Sequence, residues 1–146
     1  MAIKVRTDQV EAIRHHGEST FPFECCGLLL GRFVDGDKIL EETYPVANAR
    51  EEGAKHNRFL IPPEVVLKAE KYAREKKLDV LGFYHSHPNA EARPSQFDLD
   101  HAWPFYSYLI VSVKGNKAQD INSWRMAEDR SQFDLEPIVT VDRSVT

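Results

Sequence analysis

Two short glycine-bearing turns between strand-like runs place the tightest limit on how this chain can fold. Asp35-Gly36-Asp37 separates CGLLLGRFV (26–34) from the run Ile39–Val46, and Lys114-Gly115-Asn116 separates YSYLIVSV (106–113) from a returning strand over Asn122–Ala127. Turns this short reverse the chain, so each pair reads as antiparallel. A doubly wound parallel sheet needs a long crossover at every step and is disfavoured. VLGFYH (80–85) reads as a further strand and Glu136–Asp142 as a last one. Thr7-Asp8 opens a helix that runs to about Ser19, and Pro62-Pro63 opens another through PEVVLKAEKYAREKK, where proline is tolerated in the first turn. On the second helix Val66, Ala69, Tyr72 and Ala73 share one face. A short helix is expected from Ser95 to about Ala102, after a loop over 86–94. Residues 47–58 carry no period and read as a mobile loop, and Phe59-Leu60-Ile61 as a short extended piece. The expected class is α+β or mixed α/β: a central, mostly antiparallel or mixed sheet flanked by two long helices and a short one.

At 146 residues the chain reads as a single domain over 1–146, large enough for a core without staples. Its only cysteines, Cys25 and Cys26, are adjacent and poorly placed for a disulfide, which suits a reducing compartment. The N-terminal residues have no signal-peptide apolar region, and no run approaches the roughly 20 apolar residues of a membrane span. A cytoplasmic protein without membrane contact is expected. A formal net charge of −4 argues against a broad nucleic-acid surface.

The informative stretch is HSHPNAEARPSQFD, residues 85–98. His85 and His87 stand two apart at a strand end and so point to one side. The loop bounded by Pro88 and Pro94 can bring Asp98 back towards them. Two imidazoles and a carboxylate with an open fourth position form a catalytic zinc pattern. Zinc lowers the pKa of water bound to it from about 15.7 to about 7, roughly 12 kcal/mol of differential stabilisation for hydroxide. An HxH pair alone is weak evidence, however. Ser95-x-x-Asp98 is also a helix capping pattern, and the cap can itself be what places Asp98. His101, one turn after Asp98, is a rival ligand.

The pattern His85-x-His87-x7-Ser95-x2-Asp98 resembles the JAMM motif of MPN-domain metalloproteases, with no departure in type or spacing. The segment Phe23-Glu24-Cys25-Cys26-Gly27-Leu28-Leu29-Leu30-Gly31 is similar to the upstream segment that carries that family's catalytic glutamate. The order of elements matches over about residues 1–130. The resemblance implies the MPN, cytidine-deaminase-like fold, and one zinc ion per chain held by His85, His87 and Asp98. It further implies Glu24 as general base and proton carrier to the leaving amine, and Ser95 as donor to the oxyanion. Members of this family cut the bond after the C-terminal Gly-Gly of ubiquitin or a ubiquitin-like protein. The compact chain looks most like small stand-alone prokaryotic members that act on ubiquitin-like sulfur carriers, removing a C-terminal extension or an attached amino acid. Ser123-Trp124-Arg125 through Phe133 is similar to that subgroup as well. The alternatives are a deubiquitinase-like deconjugase of a bacterial ubiquitin-like modifier and a non-catalytic MPN scaffold. A homodimer through a strand edge is compatible with the pattern.

Other readings rank lower. A relative of the DNA-repair-associated RadC group usually carries a helical DNA-binding region ahead of the domain, whereas here the domain is expected to start almost at residue 1 and the chain is acidic. The Pro-Cys-x-x-Cys signature of zinc deaminases and the Gly-x-Ser-x-Gly elbow of serine hydrolases are missing from the sequence. Cys25 and Cys26 read as packing residues, and His15, His16 and His56 as surface or helix-end histidines. Trp103 and Trp124 read as core or rim aromatics. Lys68, Lys71, Arg74, Lys76 and Lys77 read as the solvated face of the second helix.

Overall fold

The computed structural model describes residues 2–48 and 61–142. The expected loop at 47–58, the piece at 59–61 and His56 therefore lie wholly or largely outside the described residues. In chain order the elements are β1 (Ile3–Arg6), α1 (Thr7–Thr20), β2 (Cys26–Val34), β3 (Asp37–Val46), α2 (Pro63–Glu75), β4 (Asp79–Pro88), α3 (Gln96–His101), β5 (Ser107–Lys114), β6 (Lys117–Met126), β7 (Phe133–Glu136) and β8 (Ile138–Val141). One mixed sheet holds all eight strands in the order β7-β6-β5-β4-β2-β3-β1-β8.

Both expected hairpins form, β2 with β3 and β5 with β6. Asp35 and Gly36 take φ of 52° and 87°, the left-handed pair that a twist-matched two-residue turn requires. The parallel pairs are β4 with β5, β1 with β3 and β1 with β8. The step from β4 to β5 crosses over through α3, as a parallel step must.

The sheet curls. β7 and β8 stand at its two ends, yet only Pro137 separates them in sequence, so the ends meet there. Proline suits that corner because it has no N–H to offer a ladder, while its carbonyl accepts from the Ile3 N–H at 3.0 Å. α1 packs on one face of the sheet, where Ile13 joins Ile3, Val5, Leu29, Leu40, Leu81, Leu109 and Val111. α2 covers the other face through Ala69 and Ala73 against Leu28 and Leu30. With both faces covered, the start of β2 and nearly all of β5 are buried without alternation, which explains their unbroken apolar runs.

Several boundaries differ from the sequence reading. β1 and β7 were not anticipated, β6 begins five residues earlier, and β4 continues through His87 to Pro88 rather than stopping at His85. β4 extends because β5 runs alongside it: His87 pairs with Ser112 and Pro88 with Val113. No helix among the described residues is long and apolar enough to cross a membrane.

Candidate metal centre

Three chain segments meet at the carboxyl end of β4. β4 lies between β2 and β5, with His85 opposite Cys26 on one side and Ile110 on the other. The period of two puts both imidazoles on one face. The third segment is the first turn of α3. The Ser95 Oγ accepts from the Asp98 N–H at 3.1 Å, and the Ser95 N–H donates to the Asp98 Oδ2 at 2.8 Å. This reciprocal cap locks the carboxylate rotamer and aims it at the imidazoles. The helix cap and the aiming of the Asp98 carboxylate are therefore one arrangement.

The His85 and His87 Nε2 atoms are 3.1 Å apart. The Asp98 carboxylate lies 3.2 Å from the His85 Nε2 and 3.1 Å from the His87 Nε2. His85, His87 and Asp98 each bring a ligand atom within 4.8 Å of the others, and their side chains are buried. Ligands about 2.0–2.1 Å from a tetrahedral ion stand about 3.3 Å apart, so these spacings fit one small cation among the three. The tautomer fits as well. The His87 Nδ1 lies 3.0 Å from the Glu91 carbonyl, which can only accept, so Nδ1 carries the proton and the Nε2 lone pair faces the centre.

Charge favours the same assignment. Burial holds the His85 imidazole below its ordinary pKa, in the neutral form a metal requires. Burial works against ionisation of Asp98, but the two imidazoles outweigh it and keep the carboxyl well below the usual range. Glu24 is 3% exposed in the turn before β2. Burial and, next, the charge of Asp98 push its carboxyl up to about 9. Ser95 is exposed at the rim. Its Oγ already accepts from Asp98, so the hydroxyl hydrogen is left to donate elsewhere.

His101 stays outside the cluster: its Nδ1 contacts the Phe97 carbonyl at 2.8 Å and its ring stacks on Phe97. Cys25 and Cys26 are buried free thiols, and burial pushes both up to about 12, the reverse of an activated nucleophile. His16 is not a simple surface residue, because its Nδ1 meets the Tyr84 hydroxyl at 2.7 Å. Trp103 is exposed beneath the Arg130 guanidinium, and Lys68, Lys71 and Arg74 of α2, with Lys76 and Lys77 just after it, are exposed.

The sequence reading missed what holds the loop between β4 and α3. The Asn89 N–H donates to the Val113 carbonyl at 2.6 Å, and the Ser112 hydroxyl donates to the Ala90 carbonyl. The Ala92 carbonyl accepts from the Trp124 indole at 3.0 Å and the Asn122 amide at 3.3 Å. Glu91, whose carbonyl orients His87, is thus pinned on both sides. A main-chain carbonyl leaves no residue-type signal. Trp124 was visible in the sequence, but only its aromatic body suggested a role.

The chain belongs to the family of prokaryotic homologues of the JAB domain, which it matches over residues 6–127. It is 35% identical over 96 residues to a desampylase of Haloferax volcanii, spanning 64% of this chain and 66% of that protein. It is 29% identical over 125 residues to the CysO-cysteine peptidase of Mycobacterium tuberculosis, spanning 85% of this chain and 82% of that protein. A solution structure from Desulfitobacterium hafniense superposes with a TM-score of 0.84 at 33% identity, covering 97% of this chain and 94% of that one.

Proposed function

We propose that this protein is a zinc-dependent peptidase or isopeptidase that hydrolyses the bond after the C-terminal Gly-Gly of a ubiquitin-like protein. The observation that carries the reading is the convergence of His85, His87 and Asp98 at 3.1–3.3 Å beside a buried Glu24. His85, His87 and Asp98 would hold the ion. Bound zinc supplies Lewis acidity, which makes hydroxide available near neutral pH. Glu24 takes a proton from the attacking water and delivers it to the leaving nitrogen. Its carboxyl, held up to about 9 by burial and Asp98, is drawn down towards the working range when positive charge sits at the imidazoles. Ser95 donates its free hydroxyl hydrogen to the carbonyl oxygen as negative charge gathers there. Two glycines let an extended tail reach this centre without side chains to exclude.

A sulfur carrier bearing a C-terminal extension or an attached amino acid is the favoured substrate. The named CysO-cysteine peptidase is matched over most of both chains, whereas the desampylase match spans about two thirds of each. A deconjugase would share the acyl half of this chemistry and differ in the amine that leaves.

The test combines elemental analysis with cleavage of a ubiquitin-like carrier extended by a short peptide after Gly-Gly. About one zinc per chain is expected. Glu24→Gln should retain the metal and lose roughly 10²–10⁴-fold in kcat. A parent that takes up no zinc on reconstitution would sink the reading, as would a Glu24→Gln variant that cleaves at the parent's rate.

A further inference from the structure

We infer that Ser86, the residue between the two histidines, is a positioning residue for Glu24. It points away from the metal face and reaches the main chain of β2's entry. The Cys25 N–H donates to the Ser86 Oγ at 2.8 Å, and the Ser86 N–H donates to the Cys25 carbonyl at 3.2 Å. Both peptide groups of the residue after Glu24 are therefore tied to the strand that carries His85 and His87. Cys26 opposite His85 is the last residue in the β2–β4 register, so these bonds extend the connection beyond the ladder. Ser86 is fully buried and α1 closes over it: a Cβ added at Gly17 would lie 3.3 Å from the Ser86 Cβ. The Glu24 carboxylate accepts no side-chain hydrogen bond among the described residues that would otherwise fix it. On the main chain, the Asn48 amide donates to the Glu24 carbonyl at 3.1 Å.

Strand β4 thus does two tasks on its two faces. One face gathers the histidines, and the hydroxyl on the other sets where the general base stands relative to them. Because a displacement of about 1 Å in a reacting group can cost about 10²-fold, loss of the hydroxyl should be felt in the proton-transfer step and not in metal binding. This inference rests on the proposed role of Glu24.

The experiment is a double-mutant cycle between Ser86→Ala and Glu24→Gln on zinc-loaded protein, with a carrier–Gly-Gly–peptide fusion as substrate. Zinc affinity is measured separately by competition with a chelator. Ser86→Ala alone should lower kcat about 10- to 100-fold, leave KM within about 3-fold and leave zinc affinity unchanged. In the Glu24→Gln background the same change should cost less than about 2-fold, since the group it positions is gone. Ser86→Cys, which keeps a weak donor and acceptor at the site, should recover part of the loss. Equal losses in both backgrounds, or a parallel loss of zinc, would overturn the inference and leave Ser86 a folding residue. A Glu24→Gln variant as active as the parent would instead overturn the reading of Glu24 itself.

Discussion

Two buried polar clusters lie towards opposite ends of the same strands, and they are built on opposite principles. The first is the His85–His87–Asp98 group with Glu24 beside it. The second joins Lys38, Ser107, Ser123 and Glu136. There the Lys38 ammonium donates to the Phe105 carbonyl at 3.0 Å and to the Ser107 Oγ at 2.6 Å. The hydroxyls of Ser107 and Ser123 both donate to the Glu136 Oε1, at 2.6 and 2.7 Å. The Glu136 Oε2 stands 3.6 Å from the ammonium. Ser107 pairs with Gly82, so the second cluster sits about 10–16 Å back along β4 from the histidines. In it both hydroxyls and the ammonium donate to acceptors, and the Glu136 carboxylate faces the Lys38 ammonium and, at 4.0 Å, the Arg125 guanidinium. In the first, the Nε2 atoms of two imidazoles and the Asp98 carboxylate converge, with the buried Glu24 carboxyl nearby. A closed network ties the sheet together where its ends meet; a convergence of ligand atoms is suited to a cation.

The largest contrast comes from removing one carboxylate from each cluster. Asp98→Ala should take zinc from about one per chain to almost none while leaving the metal-free protein folded, because beyond the ion the carboxylate serves only the cap of the six-residue α3, worth about 1 kcal/mol. Glu136→Ala should do the reverse. It strands the Lys38 ammonium, which should lower unfolding free energy by about 3–5 kcal/mol in denaturant titrations, with zinc per folded chain unchanged. If Glu136→Ala lost metal, or Asp98→Ala failed to fold, the division between a structural and a chemical cluster would collapse.

The second comparison replaces the ion pair as a whole. Lys38→Met with Glu136→Leu keeps the volume and strands neither partner. Removing a buried pair in favour of apolar contacts is often neutral or stabilising by about 1–4 kcal/mol, so the double variant should be far more stable than Glu136→Ala. A double variant as weak as the single one would mean that the serine hydroxyls left behind, and not the charges, dominate.

Adjacent residues of β6 provide a finer contrast. Ser123 serves the closed cluster and Trp124 pins the loop that orients His87. Ser123→Ala should cost about 1–2 kcal/mol of stability and leave zinc affinity alone. Trp124→Phe keeps the ring but loses the indole donor, and should weaken zinc by about 10-fold with little change in melting temperature. Chelator competition and thermal melts on the two variants separate these effects, and identical profiles would count against the assignment.

What was legible in the sequence follows from this division. Apolar runs under helices on both sides, short glycine turns and the spacing of His85, His87, Ser95 and Asp98 are local signals; both hairpins form, and His85, His87 and Asp98 come together in space. β1, with Ile3 and Val5 inward and Lys4 and Arg6 outward, alternates correctly but is only four residues long, at the lower limit of the pattern. β7 inverts the pattern: Leu135 is 61% exposed while Glu136 is 2% exposed. No periodicity rule finds a strand whose buried residue is the charged one. That choice makes sense only with Lys38, 98 positions earlier, already in place. The same holds at the metal centre, where Glu24 was placed by resemblance, while its burial, the Ser86 hydroxyl and the Glu91 carbonyl depend on strands meeting far apart in sequence.

The smallest expected effect concerns the charge of Lys38. Burial lowers its pKa first; the nearby Arg125 adds to this, and Glu136 opposes both without cancelling them. A lysine held below its ordinary value binds its proton less tightly in the folded chain than in the unfolded one. Between the two values the unfolded chain holds more protons at this position, so its contribution to stability rises with pH there. Below the folded value both states are charged and the contribution is flat. The readout is the difference in unfolding free energy between the parent and the Lys38→Met/Glu136→Leu double variant, because Cys25 and Cys26 work in the opposite sense in both proteins. Their thiols are raised, so the stability they contribute is lost as pH climbs past the ordinary thiol value towards about 12. Subtraction removes that shared loss. The difference should stay level from neutral pH and then move in the parent's favour just below the ordinary lysine value. Movement the other way would mean that Glu136 holds the proton on Lys38 more firmly than burial releases it, and the closed cluster would then be an ion pair first and a hydrogen-bond network second.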